Sequence, residues 1–138
     1  MRVEKPFTGL KVYYSGSIRG VPESDPDLPW KLVQYMVQNG ANVLSEHVAG
    51  RTREEMQEIR LRKLGPRANE FLESPEPWIV VREEDVRWVD EADYLVALVN
   101  GPSHGVGMEI ERALLKPDRG LPRTPIFTPC QKIKPVIS

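Results

Sequence analysis

With 138 residues, 40% of them apolar and 28% charged, the chain is long enough for one domain with a real core and too short for two. A formal net charge of −1 excludes a broad electrostatic grip on nucleic acid, so any phosphate recognition should be local and aimed at a small ligand. The single cysteine, Cys130, excludes an internal disulfide, fits a reducing compartment, and forms no recognisable metal motif with the two distant histidines. No apolar run approaches membrane-spanning length, and the first residues lack the apolar core of a signal peptide.

Residues 1–7 read as a lead-in, and residues 10–15 are predicted as the first strand. That strand runs into Gly16-Ser17-Ile18-Arg19-Gly20. Glycine there lets backbone approach an anion, Ser17 offers a hydroxyl and Arg19 a charged fork, which together suit a phosphate. After a polar, proline-containing loop, Asp27 is placed as N-cap of a helix with Pro29 in its first turn. Leu32, Val33, Met36 and Val37 recur at helical spacing, and Asn39-Gly40 ends the helix.

Residues 41–44 form the second predicted strand, leading into Ser45-Glu46-His47. A charged helix is expected over 52–64, with Met56, Ile59 and Lys63 on one face, stopped by Gly65-Pro66. Residues 71–77 read as loop, and 78–91 as a helix with Ile79, Val81, Val86 and Val89 as its apolar positions. Residues 94–99 are a continuous apolar run, the mark of a strand buried in a parallel sheet. Next comes Gly101-Pro102-Ser103-His104-Gly105-Val106-Gly107-Met108-Glu109, a second glycine loop that should deliver Glu109 onto the first turn of a helix. Val106, Ile110, Ala113 and Leu114 would share that helix's inner face, and residues 125–128 a last short strand. Trp30, Trp78 and Trp88 are read as packing residues.

The order of elements implies an α/β fold: a doubly wound, flavodoxin- or Rossmann-like parallel sheet of four to five strands with helices on both faces, in one domain over 1–138. Ligands in such sheets bind beyond the strand C-termini, and all three suggestive loops lie there.

These residues resemble the 2′-deoxynucleoside 5′-monophosphate N-glycosidases, relatives of the nucleoside 2-deoxyribosyltransferases. The likeness rests on Val12-Tyr13-Tyr14-Ser15-Gly16-Ser17-Ile18-Arg19-Gly20, Leu44-Ser45-Glu46-His47-Val48-Ala49, Asp85-Val86-Arg87-Trp88-Val89-Asp90-Glu91-Ala92-Asp93 and Pro102-Ser103-His104-Gly105-Val106-Gly107-Met108-Glu109. It implies hydrolysis of the bond between base and deoxyribose, with no metal or organic cofactor. By the same likeness, Glu109 would be the nucleophile, Asp85 would orient the sugar and aid proton transfer, and Tyr13 would hydrogen-bond near the carboxylates. Ser17, Arg19 and Ser103 would hold the 5′-phosphate, helped by N–H groups near Gly105; Ile18 and His47 would line the base pocket; Gly16 would allow close approach. The family further implies a small-molecule deoxynucleotide substrate, a homodimer, no nucleic-acid or membrane partner, and a cytoplasmic or nuclear place. The likeness fades after residue 116, which implies a C-terminal part shorter than the family's, and residues 50–76 match it in no detail.

Each residue also has a plainer reading. Glu109 reads alone as a first-turn acid favoured by the helix dipole, and Asp85, inside Glu83-Glu84-Asp85, as part of a solvated face. Tyr13 reads as strand-end packing, Arg19 as a loop charge, and His47 as a structural loop residue. Asp93 is expected to end its helix or contact the start of the strand that follows it. Two other functions stay open at this level: sugar transfer between bases, against which Arg19 speaks because a bare nucleoside has no phosphate, and nucleotide binding without turnover.

Overall fold

A computed structural model describes residues 4–16, 27–99 and 103–129. Four strands, β1 (Lys11–Gly16), β2 (Asn42–Val43), β3 (Tyr94–Leu98) and β4 (Ile126–Phe127), form one sheet in the order β2-β1-β3-β4, every neighbouring pair parallel. Among the described residues five α-helices connect them: α1 (Leu28–Gln38), α2 (Arg53–Leu64), α3 (Ala68–Glu73), α4 (Pro77–Glu91) and α5 (His104–Leu114). This is the doubly wound α/β fold expected. The chain leaves β1 for β2 on one side and returns to β3 on the other, so the direction of winding reverses between β1 and β3.

Strand alternation sorts β1 between two cores. Val12 and Tyr14 join Val33 and Met36 of α1, while Tyr13 joins Trp88, Val89, Val106 and Ala113 of α4 and α5 on the opposite face. The inner strand pair is pinned at its base by Asp93, whose carboxylate accepts from Lys11 N at 2.8 Å and whose own N–H donates to Lys11 O. Asp93 thus contacts the start of β1 rather than that of the strand it precedes. Gly40 ends α1 at φ +100°, and a Cβ there would lie 2.9 Å from Thr8 N.

Several expectations are corrected. The second strand is two residues long rather than four, because Ser45 takes over the ladder beyond it. Its Oγ accepts from Tyr14 N at 2.8 Å and donates to Tyr14 O at 2.6 Å. Within the predicted loop over 71–77, residues to Glu73 belong to α3. The buried stripe of α4 is Val80, Glu84 and Trp88, joined by Val89, whereas Ile79 and Trp78 are exposed. Leu114 of α5 likewise points to solvent. In β3 only Leu95 and Ala97 are fully buried; Tyr94, Val96 and Leu98 are half-buried on the α1 face. There an apolar groove of about 500 Å³ runs past Leu32, Tyr35, Met36, Tyr94, Val96 and Phe127.

Candidate active site

The β1/β3 switch point gathers the polar residues. Tyr13 and Ser15 are two apart on β1, so their side chains leave the same face of the sheet. Both are almost fully buried. On that face α5 presents Glu109. Tyr13 Oη donates to Glu109 Oε1 at 2.9 Å, and Ser15 Oγ donates to Glu109 Oε2. Each oxygen of one carboxylate therefore has its own hydroxyl donor from one strand.

Glu109 is the sixth residue of α5, in its second turn, and the first turn contains no acid. The helix dipole acts mainly within the terminal turn. The expected first-turn placement is thus corrected, and the dipole reading of Glu109 loses its basis. Asp85 enters from α4, which touches both β1 and α5. Its Oδ1 is buried without a hydrogen-bond partner. Burial first, and the charge of Glu109 second, push the Asp85 carboxyl from its ordinary 3.8 up to about 7, against the pull of Arg60 and Arg82. Asp85 is therefore no solvated-face acid, and neither is Glu84, which is buried between Arg67 and Arg87.

Burial also raises Glu109 above the usual carboxylate range, while the hydrogen bonds from Ser15 and Tyr13 and the charge of Arg82 pull it back. Burial, then the charges of Glu109 and Asp85, hold the Tyr13 phenol far above its ordinary value, so it remains a donor. The two acids are thus unequal. Glu109 is served by two hydroxyls that favour its anion, whereas Asp85 has an orphan oxygen and a proton affinity near neutrality. A hydrogen-bonded carboxylate beside an acid of that strength can stabilise or capture a developing cation while its neighbour moves a proton.

Ser103 sits at the N-cap of α5, where its Oγ accepts from Val106 N at 3.3 Å. A capping hydroxyl keeps its own proton free to donate, so this position is compatible with holding an anion beside the helix start. A Cβ on Gly105 would meet only Ser103 Oγ, at 4.0 Å, so packing among the described residues does not demand glycine there. Gly16 is different: a Cβ would lie 2.6 Å from Tyr14 Oη, so this glycine makes room for a tyrosine side chain of its own strand. Ser17, Ile18 and Arg19 lie outside the described residues.

His47 lies in the one-turn helix Glu46–Ala49, its ring 5.7 Å from that of Trp88. Burial, with the charges of Arg60 and Lys63 behind it, lowers its pKa to about 3, so the imidazole is neutral at pH 7. The neighbouring Glu46 is held by Arg62 at 3.1 Å and Lys63 at 3.5 Å. Sequence reasoning missed Ser15 and Arg82. Both had a signal: Ser15 follows Tyr13 by one strand period, and Arg82 precedes Asp85 by three residues on one helix face.

Ser15 yields a prediction. Ser15→Ala removes a donor to a charged acceptor, worth about 1.5–3 kcal/mol, so kcat should fall by roughly ten- to a hundred-fold with KM little changed. Because the lost hydrogen bond favoured the anion, the acid limb of the pH–rate profile should move to higher pH. A profile that keeps its acid limb in place would reduce Ser15 to a packing residue.

No protein-family model matches the chain. Among curated proteins it is 36% identical over 105 residues to the 5-hydroxymethyl-dUMP N-hydrolase of Tetraodon nigroviridis, an alignment covering 76% of this chain and 63% of that one. It is 36% identical over 103 residues to the human 5-hydroxymethyl-dUMP N-hydrolase, covering 75% and 50%. It is 31% identical over 118 residues to the Trichoplax adhaerens protein named “Putative 2′-deoxynucleoside 5′-phosphate N-hydrolase 1”, covering 79% and 68%. The chain thus spans about half to two thirds of the length of these curated relatives.

Proposed function

We propose, because the chain belongs to the 2′-deoxynucleoside 5′-phosphate N-hydrolase family, that it hydrolyses the N-glycosidic bond of 2′-deoxynucleoside 5′-monophosphates to deoxyribose 5-phosphate and free base. The observation that carries this reading is the Glu109 carboxylate, gripped by Tyr13 and Ser15 and set beside an Asp85 that keeps its proton up to about pH 7.

The chemistry follows from that inequality. As the bond from C1′ to the base nitrogen breaks, its electron pair leaves with the base, and the proton on Asp85 neutralises it. The cationic C1′ is captured by a Glu109 oxygen, forming a glycosyl ester. Asp85, now a carboxylate, takes a proton from water as that water attacks C1′ and frees Glu109. Tyr13 and Ser15 hold the nucleophile's plane throughout, so little reorganisation falls within the reaction. In this reading Ser17, Arg19 and Ser103, with N–H groups near Gly105, grip the phosphate; that remote grip positions the sugar.

Incubation with a panel of deoxynucleoside and ribonucleoside monophosphates, with free base measured by chromatography, tests the reading. Deoxyribonucleotides should be cleaved much faster, since a 2′-hydroxyl withdraws electrons from the cationic C1′. Equal rates on both sugars would point to a ribonucleotide hydrolase instead, and binding without release of base would point to a nucleotide-binding module.

A homodimer is part of the proposal. It draws support from the apolar groove on the α1 face and from Phe127, 54% exposed at its edge. Light scattering at micromolar concentration should give twice the chain mass; a fully active monomer would refute it.

A further inference from the structure

Three buried polar atoms take no part in the grip on Glu109. His47 Nδ1, Asp85 Oδ1 and Arg60 Nε each lack a hydrogen-bond partner. They arrive from three different elements. The His47 ring packs beside the indole, Asp85 stands three residues before Trp88 on α4, and the Arg60 guanidinium lies 5.8 Å from the ring centre of Phe71. Phe71 packs on the same core cluster as Trp88. The charge of Arg60 reaches both other groups, opposing protonation of His47 and favouring the anion of Asp85.

Several nearby cations are matched, and Arg82, which reaches Asp85 and Glu109 by its charge, is exposed. Arg62 pairs with Glu46, Arg67 with Glu70, Glu83 and Glu84, and Arg87 with Glu84. Arg60 forms no ion pair among the described residues, although its Nε is out of water. A buried donor left unmatched is costly, so Arg60 Nε needs a partner from water or from a bound molecule. The wall's position says what that is. His47 follows β2, on the flank of β1 away from β3 and from the start of α5. With the phosphate beside the start of α5 and C1′ between Glu109 and Asp85, the base is what reaches the β2 flank.

We infer that Arg60 is a specificity-determining residue whose guanidinium donates to a carbonyl oxygen of the leaving base, so that the site takes keto bases in preference to adenine, which has no carbonyl. The inference rests on the hydrolase reading above. Arginine has donors and no acceptor, so it cannot serve a donor on the base. When the glycosidic bond breaks, the electron pair left on the base spreads onto such a carbonyl oxygen. A cation facing it is therefore worth more in the transition state than in the bound substrate.

The test compares wild type, Arg60→Met and Arg60→Lys on dUMP and dAMP, with uracil and deoxyribose 5-phosphate as separate product inhibitors. Arg60→Met should lower kcat/KM on dUMP by roughly ten- to a hundred-fold, mostly in kcat, while dAMP changes less than about three-fold. Arg60→Lys should recover part of the dUMP rate. Inhibition by uracil should weaken in Arg60→Met and inhibition by deoxyribose 5-phosphate should not. Thermal melting should show Arg60→Met folded, since methionine keeps an apolar stem against the Phe71 ring. Equal losses on dUMP and dAMP, or a loss that tracks deoxyribose 5-phosphate, would overturn the assignment to the base while leaving the hydrolase reading standing. A wild type that releases base from no monophosphate would overturn both.

Discussion

Glu109→Gln is expected to bind deoxynucleoside monophosphates within a few-fold of wild type and to lose at least about a thousand-fold in kcat, ~4 kcal/mol in the barrier. The amide matches the carboxylate in shape, and the hydroxyls of Tyr13 and Ser15 can rotate to accept from its NH₂ or donate to its oxygen. What it lacks is the negative charge that a cationic C1′ requires, so the loss falls on the transition state and not on binding. Single-turnover rates and equilibrium binding on the same samples separate the two. Retention of more than about a tenth of the wild-type kcat, a barrier change under ~1.4 kcal/mol, would make Glu109 an ordinary helix acid. The double variant with Asp85→Asn should be little slower than Glu109→Gln alone, because the two groups act as a unit.

Asp85→Asn is expected to lower kcat by roughly a hundred-fold or more and to remove the basic limb of the pH–rate profile, which wild type should show near pH 7. The proton required for departure of the base sits on Asp85 below about 7 and is lost as the pH rises through that value. The same shift has a stability consequence. The folded protein holds this proton up to about 7, whereas the unfolded chain releases it near the ordinary 3.8. Between those values the native state binds more protons, so this group's contribution to stability declines as pH rises through the window. Asn carries no such proton. Asp85→Asn should therefore melt higher than wild type at pH 8, with the gap closing towards pH 4, while being the slower enzyme at both. Identical melting curves across that range would mean that Asp85 is not desolvated beside Glu109.

The site was legible in sequence where local pattern and chemistry coincide. Strand ends followed by loops placed Gly16, His47, Ser103 and Glu109 at one end of a parallel sheet, the family resemblance singled out Tyr13 and Asp85, and β1, α4 and α5 do bring Tyr13, Asp85 and Glu109 together. What escaped depends on partners far along the chain. Glu84 hid the inner stripe of α4, because its burial relies on Arg67, seventeen residues earlier in the chain, as well as on Arg87. Ile79, Val81 and Val86 therefore seemed better core candidates than Val80, whereas Trp88 packs in the core as expected. The short β2 was misjudged because a serine side chain continues the ladder that backbone was expected to supply. Gly16 appeared to leave room for a ligand, and its close neighbour is Tyr14. Arg60 carried no signal in a helix rich in charge; its buried Nε, which has no hydrogen bond among the described residues, sets it apart from Arg62 two residues on.

The central claim, that the carboxylate held by Tyr13 and Ser15 is the group that attacks C1′, is tested most directly by rapid quench of wild type mixed with a deoxynucleoside monophosphate, followed by peptide mass spectrometry. The expected result is a transient deoxyribose 5-phosphate ester on the peptide containing Glu109, formed as fast as the first equivalent of base is released. A first equivalent of base released with that peptide unmodified, or an ester mapped to another residue, would contradict it.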